Sequence, residues 1–378
     1  MRPLWAEVSL SNLRHNFREI QKHVGPNTRI CAVTKAHAYG HGAVECSHAL
    51  EAEGAQWFGV TSTEEGATVR DAGIRARVLL MSGFWSDEED EVVRRDLTPA
   101  VWEPWHLERL EKAAAGAGRR GFPVHIKVDT GMGRLGVQLP NLERLLDALA
   151  GAEHLRLEGV MSHLASAEVL DAADVAGQGR NFEMAKKSVL GRGFCPEVWH
   201  IANTSAMVGR PELRMDMVRP GLALYGYTLP FVKNGGKSSV WPYFDLKPVL
   251  SWKTRIISIS QHPAGQAIGY GGTYITPAAA RIAVLPIGYA DGLNRHLSSR
   301  ARFIVRDSYA PVVGRVSMDL TTIDVTNVSA ELGDEVIVIG ASENCAVTAW
   351  DHACYANTVA YEILCNIGKR VPRKYVHC

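Results

Sequence analysis

Over the first 226 residues, short β-rich apolar runs alternate with segments of helical or turn character. The runs are Ile30–Thr34, Trp57–Thr61, Val78–Met81, Thr98–Trp102, Val124–Val128, Leu157–Ser162, Val198–Ile201 and Val218–Leu224. Glu64–Asp71, Trp105–Ala114 and Asn141–Ala150 between them read as helices, the last most clearly from its apolar spacing. Near-continuous apolar strands suit a parallel sheet covered on both faces. Eight such units predict a (β/α)8 TIM barrel, with a doubly wound sheet as the competing arrangement.

After Tyr227 the rhythm changes. Residues 229–246 contain Pro, Gly-Gly and Ser-Ser and read as a linker. Beyond them the predicted strands are Val249–Ser260, Arg281–Pro286, Ala301–Arg306, Thr321–Val325 and Glu335–Ile339, without regular helices between. One late helix is expected at about Ala356–Cys365. The expected fold is therefore α/β, a barrel over 1–240 followed by a mostly-β domain over 241–378.

Composition narrows the function classes. The 378 residues are 46% hydrophobic and 21% charged, ordinary for a soluble globular protein, and carry a net charge of +1. That balance gives no electrostatic case for nucleic acid or an acidic membrane. Apolar runs such as Ile282–Ile287 are too short to span a bilayer. The opening MRPLWAEVSLSNLRHNF has no apolar stretch of signal-peptide length, so a cytoplasmic protein is expected. Seven scattered cysteines without CxxC spacing suggest neither a zinc site nor a disulfide framework.

A barrel enzyme carries its chemistry at the C-terminal ends of its strands. The first predicted strand runs into Lys35, in AVTKAHAYGHG. Burial favours the neutral amine, which can form a Schiff base or act as a base. The other reading is a lysine that only snorkels to the rim, and the position alone leaves both open. The fifth strand gives HIKVDTGMGRLG, with Lys127 and Arg134. The sixth ends in His163, and the seventh gives WHIANTSA, with His200, Asn203, Thr204 and Ser205. Asn and Thr there can cap a short helix whose first N–H groups suit an anion. The eighth gives VRPGLALYG, with Arg219 and a Gly221 that would admit a phosphate close to the backbone. Singly, a strand histidine is usually a satisfied core residue and an N-cap threonine only a cap. Together at one end of one barrel they fit a phosphate-bearing aldehyde with a lysine partner.

These segments resemble the alanine racemase family over nearly the whole chain. The likeness runs from RPLWAEVSLSNLRHNF through AVTKAHAYGHG, KVDTGMGRLG, HIANTSA and MVRPGLALYG. It continues in GYGGTY, LPIGYADGLNR, GRVSMDLTTIDV and YEILCNIGKRVPR. The resemblance implies a pyridoxal 5'-phosphate enzyme that interconverts L- and D-alanine with two bases, Lys35 and Tyr270. It makes Lys35 the lysine that carries the cofactor. It gives the phosphate Tyr39, Thr204, Gly221 and Tyr361, in the turn that includes Asn203, and places Arg219 at the pyridine nitrogen, supported by His200. His163 becomes a hydrogen-bonding neighbour of Tyr270. Arg134, Met318 and Asp319 fall at the substrate carboxylate, and Lys127 matches a lysine often carbamylated in the family. It also implies a homodimer in which the second domain serves the partner's barrel, and a D-alanine supply for peptidoglycan.

Three positions depart from the family pattern: His37 where Asn or Asp is usual, Thr204-Ser205 where Ser-Ala is commoner, and a longer linker. None removes a catalytic group. A serine or broad-specificity racemase of the same fold, and a non-catalytic cofactor-binding protein, remain as alternatives.

Overall fold

The chain opens with a strand, Leu4–Ser9 (β1), that pairs with strands from the far end of the sequence. A computed structural model describes residues 2–233 and 239–377. It divides into two compact units. One contains residues 13–38, 43–233 and 239–247; the other contains 2–12, 39–42 and 248–377.

In the first unit, eight parallel strands follow one another around a barrel. They are β2 (Arg29–Val33), β3 (Trp57–Val60), β4 (Arg77–Leu80), β5 (Leu97–Val101), β6 (Phe122–Asp129), β7 (Leu155–Met161), β8 (Val198–His200) and β9 (Met217–Val218). β9 pairs back onto β2 through Met217↔Arg29 and Val218↔Ile30. It meets β8 through Asp216 N–H to Trp199 O (3.1 Å) and Arg219 N–H to Ala202 O (3.0 Å), which closes the ring. Every residue of β3 and β5 is buried, the pattern of strands covered on both faces. A layer of Cys31, Trp57, Leu79, Ala100, Met161, Val198 and Met217 packs together in the core.

The helices follow local rules. Thr63–Asp71 starts at Ser62, whose hydroxyl accepts from Glu65 N–H. Leu142–Ala150 buries Leu142, Leu145, Leu146 and Leu149, a stripe at i, i+3, i+4, i+7. One irregularity matters later. β6 and β7 slip register at Val124/His125, so that Val124 faces Leu157 while His125 faces Gly159. Glu158 is the extra residue, and such a bulge re-aims a side chain.

The second unit holds a sheet that contains β1 with β10 (Leu250–Arg255), β13 (Arg302–Val305), β14 (Ser308–Pro311), β16 (Glu335–Ala341) and β17 (Arg373–Val376), in the order β14-β13-β16-β10-β1-β17. A smaller sheet joins β11 (Ser258–His262), β12 (Ala280–Leu285) and β15 (Thr321–Asp324).

Four expectations need correction. The barrel does not begin at residue 1, because β1 belongs to the β unit. The expected strand Val249–Ser260 is two strands in different sheets: Ile256 N–H bonds Asp334 O, and Ile257 N–H bonds Val284 O. The eighth barrel strand stops at Val218, since Pro220 has no N–H for a ladder, and Leu222–Tyr225 is a 3-10 turn. The late helix is two helices, Ala349–Ala356 and Ala360–Cys365, parted where Asn357 adopts φ +55°. Within the expected linker 229–246, Phe231–Val232 pairs with Ser239–Val240, and residues 234–238 lie outside the described residues. Among the described residues, no helix is long and apolar enough to cross a membrane.

Candidate active site

Several cationic side chains converge near the C-terminal ends of the barrel strands. Lys35 lies two residues past the end of β2 and is half-buried. The chain then does something costly. Ala36, His37, Ala38 and Tyr39 all hold φ between +51° and +56°, a full left-handed turn. Each such residue costs about 1–2 kcal/mol relative to right-handed backbone. His37 fits this local constraint: Asn, Asp and His are the non-glycine residues enriched there. The family's Asn or Asp and this chain's His thus meet one backbone demand.

Lys127, in β6, is buried and donates to Met81 O at 2.8 Å. Burial, then the charges of Arg219, Arg134 and Lys35, pushes its amine down to about 7. Asp129 accepts from the N–H groups of Gly131, Met132 and Gly133, and so shapes the loop that carries Arg134. Lys127, Asp129, Arg134, Ser162 and His163 line one small pocket. His163 is pushed down to about 3 by burial and by Arg219, Arg134, Lys127 and Lys35. Its ring is therefore neutral at physiological pH.

Arg219 lies just past β9 and is buried. It donates to His200 Nδ1 (2.9 Å), Ser162 O (2.6 Å) and Ile201 O (3.3 Å), with His163 Nδ1 at 3.4 Å. Burial lowers it to about 10, which leaves it charged at neutral pH. Asn203 caps the helix Thr204–Gly209 by accepting from Ala206 N–H at 3.0 Å. Its side-chain oxygen thus serves the turn itself. Thr204 Oγ1 accepts from Gly221 N–H at 3.0 Å, which ties the β8 and β9 turns together.

The remaining sequence candidates belong to the β unit. Tyr39 and Tyr361 stand with ring centroids 5.9 Å apart. Tyr270 lies in the turn Tyr270–Gly272, flanked by Gly269 (φ +71°) and Gly271 (φ +72°), and is 72% exposed. Met318 is also exposed, and its carbonyl accepts from Ala290 N–H at 3.0 Å. Gly288 permits that approach, because a Cβ there would sit 2.3 Å from Met318 O. Asp319 pairs with Arg370 and lies 3.8 Å from Arg2, and both arginines also grip the buried Asp291. That quartet fixes the turn holding Met318.

The family model for the alanine racemase N-terminal domain matches residues 8–229, and that for the C-terminal domain matches 249–375. An alanine racemase from Syntrophobacter fumaroxidans is 40% identical over 366 residues, covering 97% of this chain and 95% of that protein. The crystal structure of alanine racemase from D-cycloserine producing Streptomyces lavendulae superposes with a TM-score of 0.92 at 33% identity, over 100% of this chain and 98% of that one. That from Bartonella henselae, with covalently bound pyridoxal phosphate, gives 0.85 at 28% identity over 100% of both.

Sequence reading missed several residues that hold this site. His125 shares a strand face with Lys127 by the two-residue period, which was a readable signal. Glu158 and Glu65 carried none. Glu65 accepts from Ala36 N–H (2.6 Å), Thr61 N–H (2.8 Å) and Thr61 Oγ1 (3.0 Å). It therefore clamps the start of the left-handed turn beside Lys35. Glu65→Gln places an amide against these donors and should cost about 1–2 kcal/mol of stability. It should also lower kcat by loosening Lys35. The exposed neighbour change Glu64→Gln should do neither. Denaturant midpoints and turnover of the two variants check this, and equal behaviour would remove the clamp.

Proposed function

The chain belongs to the alanine racemase family, so its reaction is the interconversion of L- and D-alanine, and we propose that it uses pyridoxal 5'-phosphate with Lys35 and Tyr270 as its two bases. The observation that carries this reading is the cation cluster at the barrel rim. Lys127 and His163 are depressed by burial and by the charges of Lys35, Arg134 and Arg219. Such a site calls for an anionic guest, and a phosphate-bearing aldehyde with a lysine partner fits the donors present.

When bound, the cofactor supplies the electron sink that makes the α-proton removable. The protein supplies the rest. Lys35 would carry the cofactor and, once displaced by substrate, exchange the α-proton of D-alanine on one face. Tyr270 would exchange that of L-alanine on the other. Two faces need two bases, because one group would have to cross the plane of the substrate. Thr204 and Gly221, joined by their own hydrogen bond, would hold the phosphate from the barrel, within the turn that Asn203 caps. Tyr39 and Tyr361 have the same assignment. His200 would support Arg219, and His163 would hydrogen-bond Tyr270. Arg134, Met318 and Asp319 would receive the substrate carboxylate.

Arg219 would face the ring nitrogen. A guanidinium with a pKa near 10 does not give up its proton there at neutral pH. The ring nitrogen then stays unprotonated, and less charge drains into the ring. That disfavours proton return at the cofactor carbon, and hence transamination.

The exposure of Tyr270 and Met318 supports a homodimer in which the β unit of one protomer serves its partner's barrel. Bulky Met318 and Tyr361 favour a methyl side chain, although one extra atom is discriminated by only about 1–3 kcal/mol. The setting would be cytoplasmic, with D-alanine supplied for peptidoglycan. For Lys127, an amine pushed down to about 7 has a substantial neutral fraction near pH 7, which suits carbamylation. Nζ would attack the carbon of CO2 and release one proton, giving an anion that pins Arg134 by charge-assisted hydrogen bonds.

The primary test incubates the yellow holoenzyme with L-alanine, D-alanine and L-serine, followed by chiral chromatography. The same near-equal mixture from either alanine enantiomer is expected. Bound cofactor without conversion would defeat the reading. Tyr270→Phe should keep its colour and lose most of its activity, on the order of 100-fold or more for a lost general base; a carrier protein would be indifferent. Arg219→Glu should slow racemisation and raise the transaminated fraction, and unchanged partitioning would refute its role. Intact mass and 13C labelling with bicarbonate should show one carbamate at Lys127, whereas a bare amine in fully active enzyme would exclude it.

A further inference from the structure

Behind Arg219 and His200 a line of buried polar groups continues into the barrel, through residues to which the reaction assigns no part. His200 Nδ1 accepts from Arg219 Nη1 at 2.9 Å. His200 Nε2 lies 2.9 Å from His125 Nδ1. His125 Nε2 lies 3.4 Å from Glu158 Oε2, and neither of these two buried atoms has another hydrogen-bond partner. Glu158 Oε1 pairs with Arg77 and, at 3.0 Å, with Arg156.

The direction of this line follows from one fact. A guanidinium has only donors, so His200 Nδ1 must be an acceptor. A neutral His200 then carries its proton on Nε2 and donates it to His125 Nδ1. His125 in turn carries its proton on Nε2, aimed at the Glu158 carboxylate. Every proton points away from Arg219. The reverse arrangement would set an N–H of His200 against an N–H of Arg219.

We propose that Glu158 and His125 are positioning residues: His125 accepts the N–H that Arg219 forces onto His200 Nε2, Glu158 accepts from His125 in turn, and the pair so holds His200 and Arg219 in place. The proposal rests on the reading of Arg219 as the partner of the cofactor's ring nitrogen. Three features of the fold exist to serve it. The β6–β7 bulge makes Glu158 the extra residue beside His125. Gly159 leaves room for the imidazole, since a Cβ there would lie 2.5 Å from His125 Cε1. Trp57 closes one side of the ring at a centroid distance of 5.4 Å. Burial keeps both histidines neutral, holding His200 well below its ordinary value and His125 below it. For Glu158 burial works the other way, and the bond to His125 with the charges of Arg77 and Arg156 outweighs it, so the carboxyl stays ionised.

Neutron diffraction from deuterium-exchanged holoenzyme crystals tests the direction without using activity. Deuterons are expected on His200 Nε2 and His125 Nε2, with both Nδ1 atoms bare. A deuteron on His200 Nδ1 would overturn the proposal, while leaving the Arg219→Glu effect on partitioning untouched. The second arm compares Glu158→Leu with Glu158→Gln. Both break the ion pairs to Arg77 and Arg156, so both lose stability. Only Gln keeps an oxygen that can accept from His125. Glu158→Leu should lower racemisation kcat about tenfold and raise the transaminated fraction, and Glu158→Gln should recover most of both. Equal partitioning in wild type and both variants would assign Glu158 to stability alone and overturn the proposal. Should Glu158→Leu fail to fold, the neutron result and the partitioning of Glu158→Gln against His125→Leu still decide. His125→Leu is expected to partition like a chain broken one step nearer Arg219.

Discussion

A guanidinium enclosed in a barrel must have its N–H groups answered, because a buried charge without partners costs far more than a hydrogen bond returns. Arg219 meets this demand with two backbone carbonyls, Ser162 O and Ile201 O, and the Nδ1 of His200. Each answer constrains something else. The carbonyls belong to the ends of β7 and β8, so the guanidinium stitches the strands where chemistry is expected. The imidazole must be an acceptor, which propagates an order of protons through His125 to Glu158. Much of the barrel's polar interior is in this sense a consequence of one charge.

The second consequence is electrostatic. Arg219 is joined at the rim by Lys35, Lys127 and Arg134, while the nearby carboxylate of Asp129 is engaged by the backbone of its own loop. Lys127, buried among these cations, is pushed down to about 7 by its burial and then by the charges of Arg219, Arg134 and Lys35. The rim therefore favours guests that bring negative charge, or a modification that turns a cation into an anion. A phosphate, a substrate carboxylate and a carbamate each relieve the same repulsion, which links three otherwise separate features of the site.

Much of this was legible in the sequence. Seven of the eight apolar runs fell on the barrel strands to within a residue or two, because burial on both faces leaves little room for polar positions, while the eighth overlaps its strand only at Val218. Lys35, Lys127, Arg134, His163, His200 and Arg219 could be assigned to strand ends for the same reason. What escaped was non-local or conformational. β1 finds its partners some 250 and 370 residues away, at Lys253 and Lys374, and no local pattern reports that. The break of the late helix spans 357–359, with Asn357 left-handed and Val359 extended, within a stretch whose apolar spacing does not report it. Glu158 looks like an ordinary charge on a strand until the register slips at Val124/His125 and turns it toward an imidazole. His125 was the recoverable omission, since strand periodicity places it on the face of Lys127.

The left-handed turn after Lys35 belongs with these hidden features, and it explains a departure that the family pattern left unexplained. Four consecutive residues at positive φ are a local loss of several kcal/mol, which persists only if surrounding contacts over-determine it. Glu65 supplies one such contact at Ala36. Gly40 supplies another constraint at the far end, where φ is +82° and a Cβ would lie 2.3 Å from Leu364 O. Within these few residues the chain leaves the barrel unit and contributes Tyr39 to the β unit, beside Tyr361. At position 37 the requirement is thus for a residue that tolerates the left-handed region, and His satisfies it as Asn or Asp would. The substitution is conservative in backbone terms, although it is not so in side-chain chemistry.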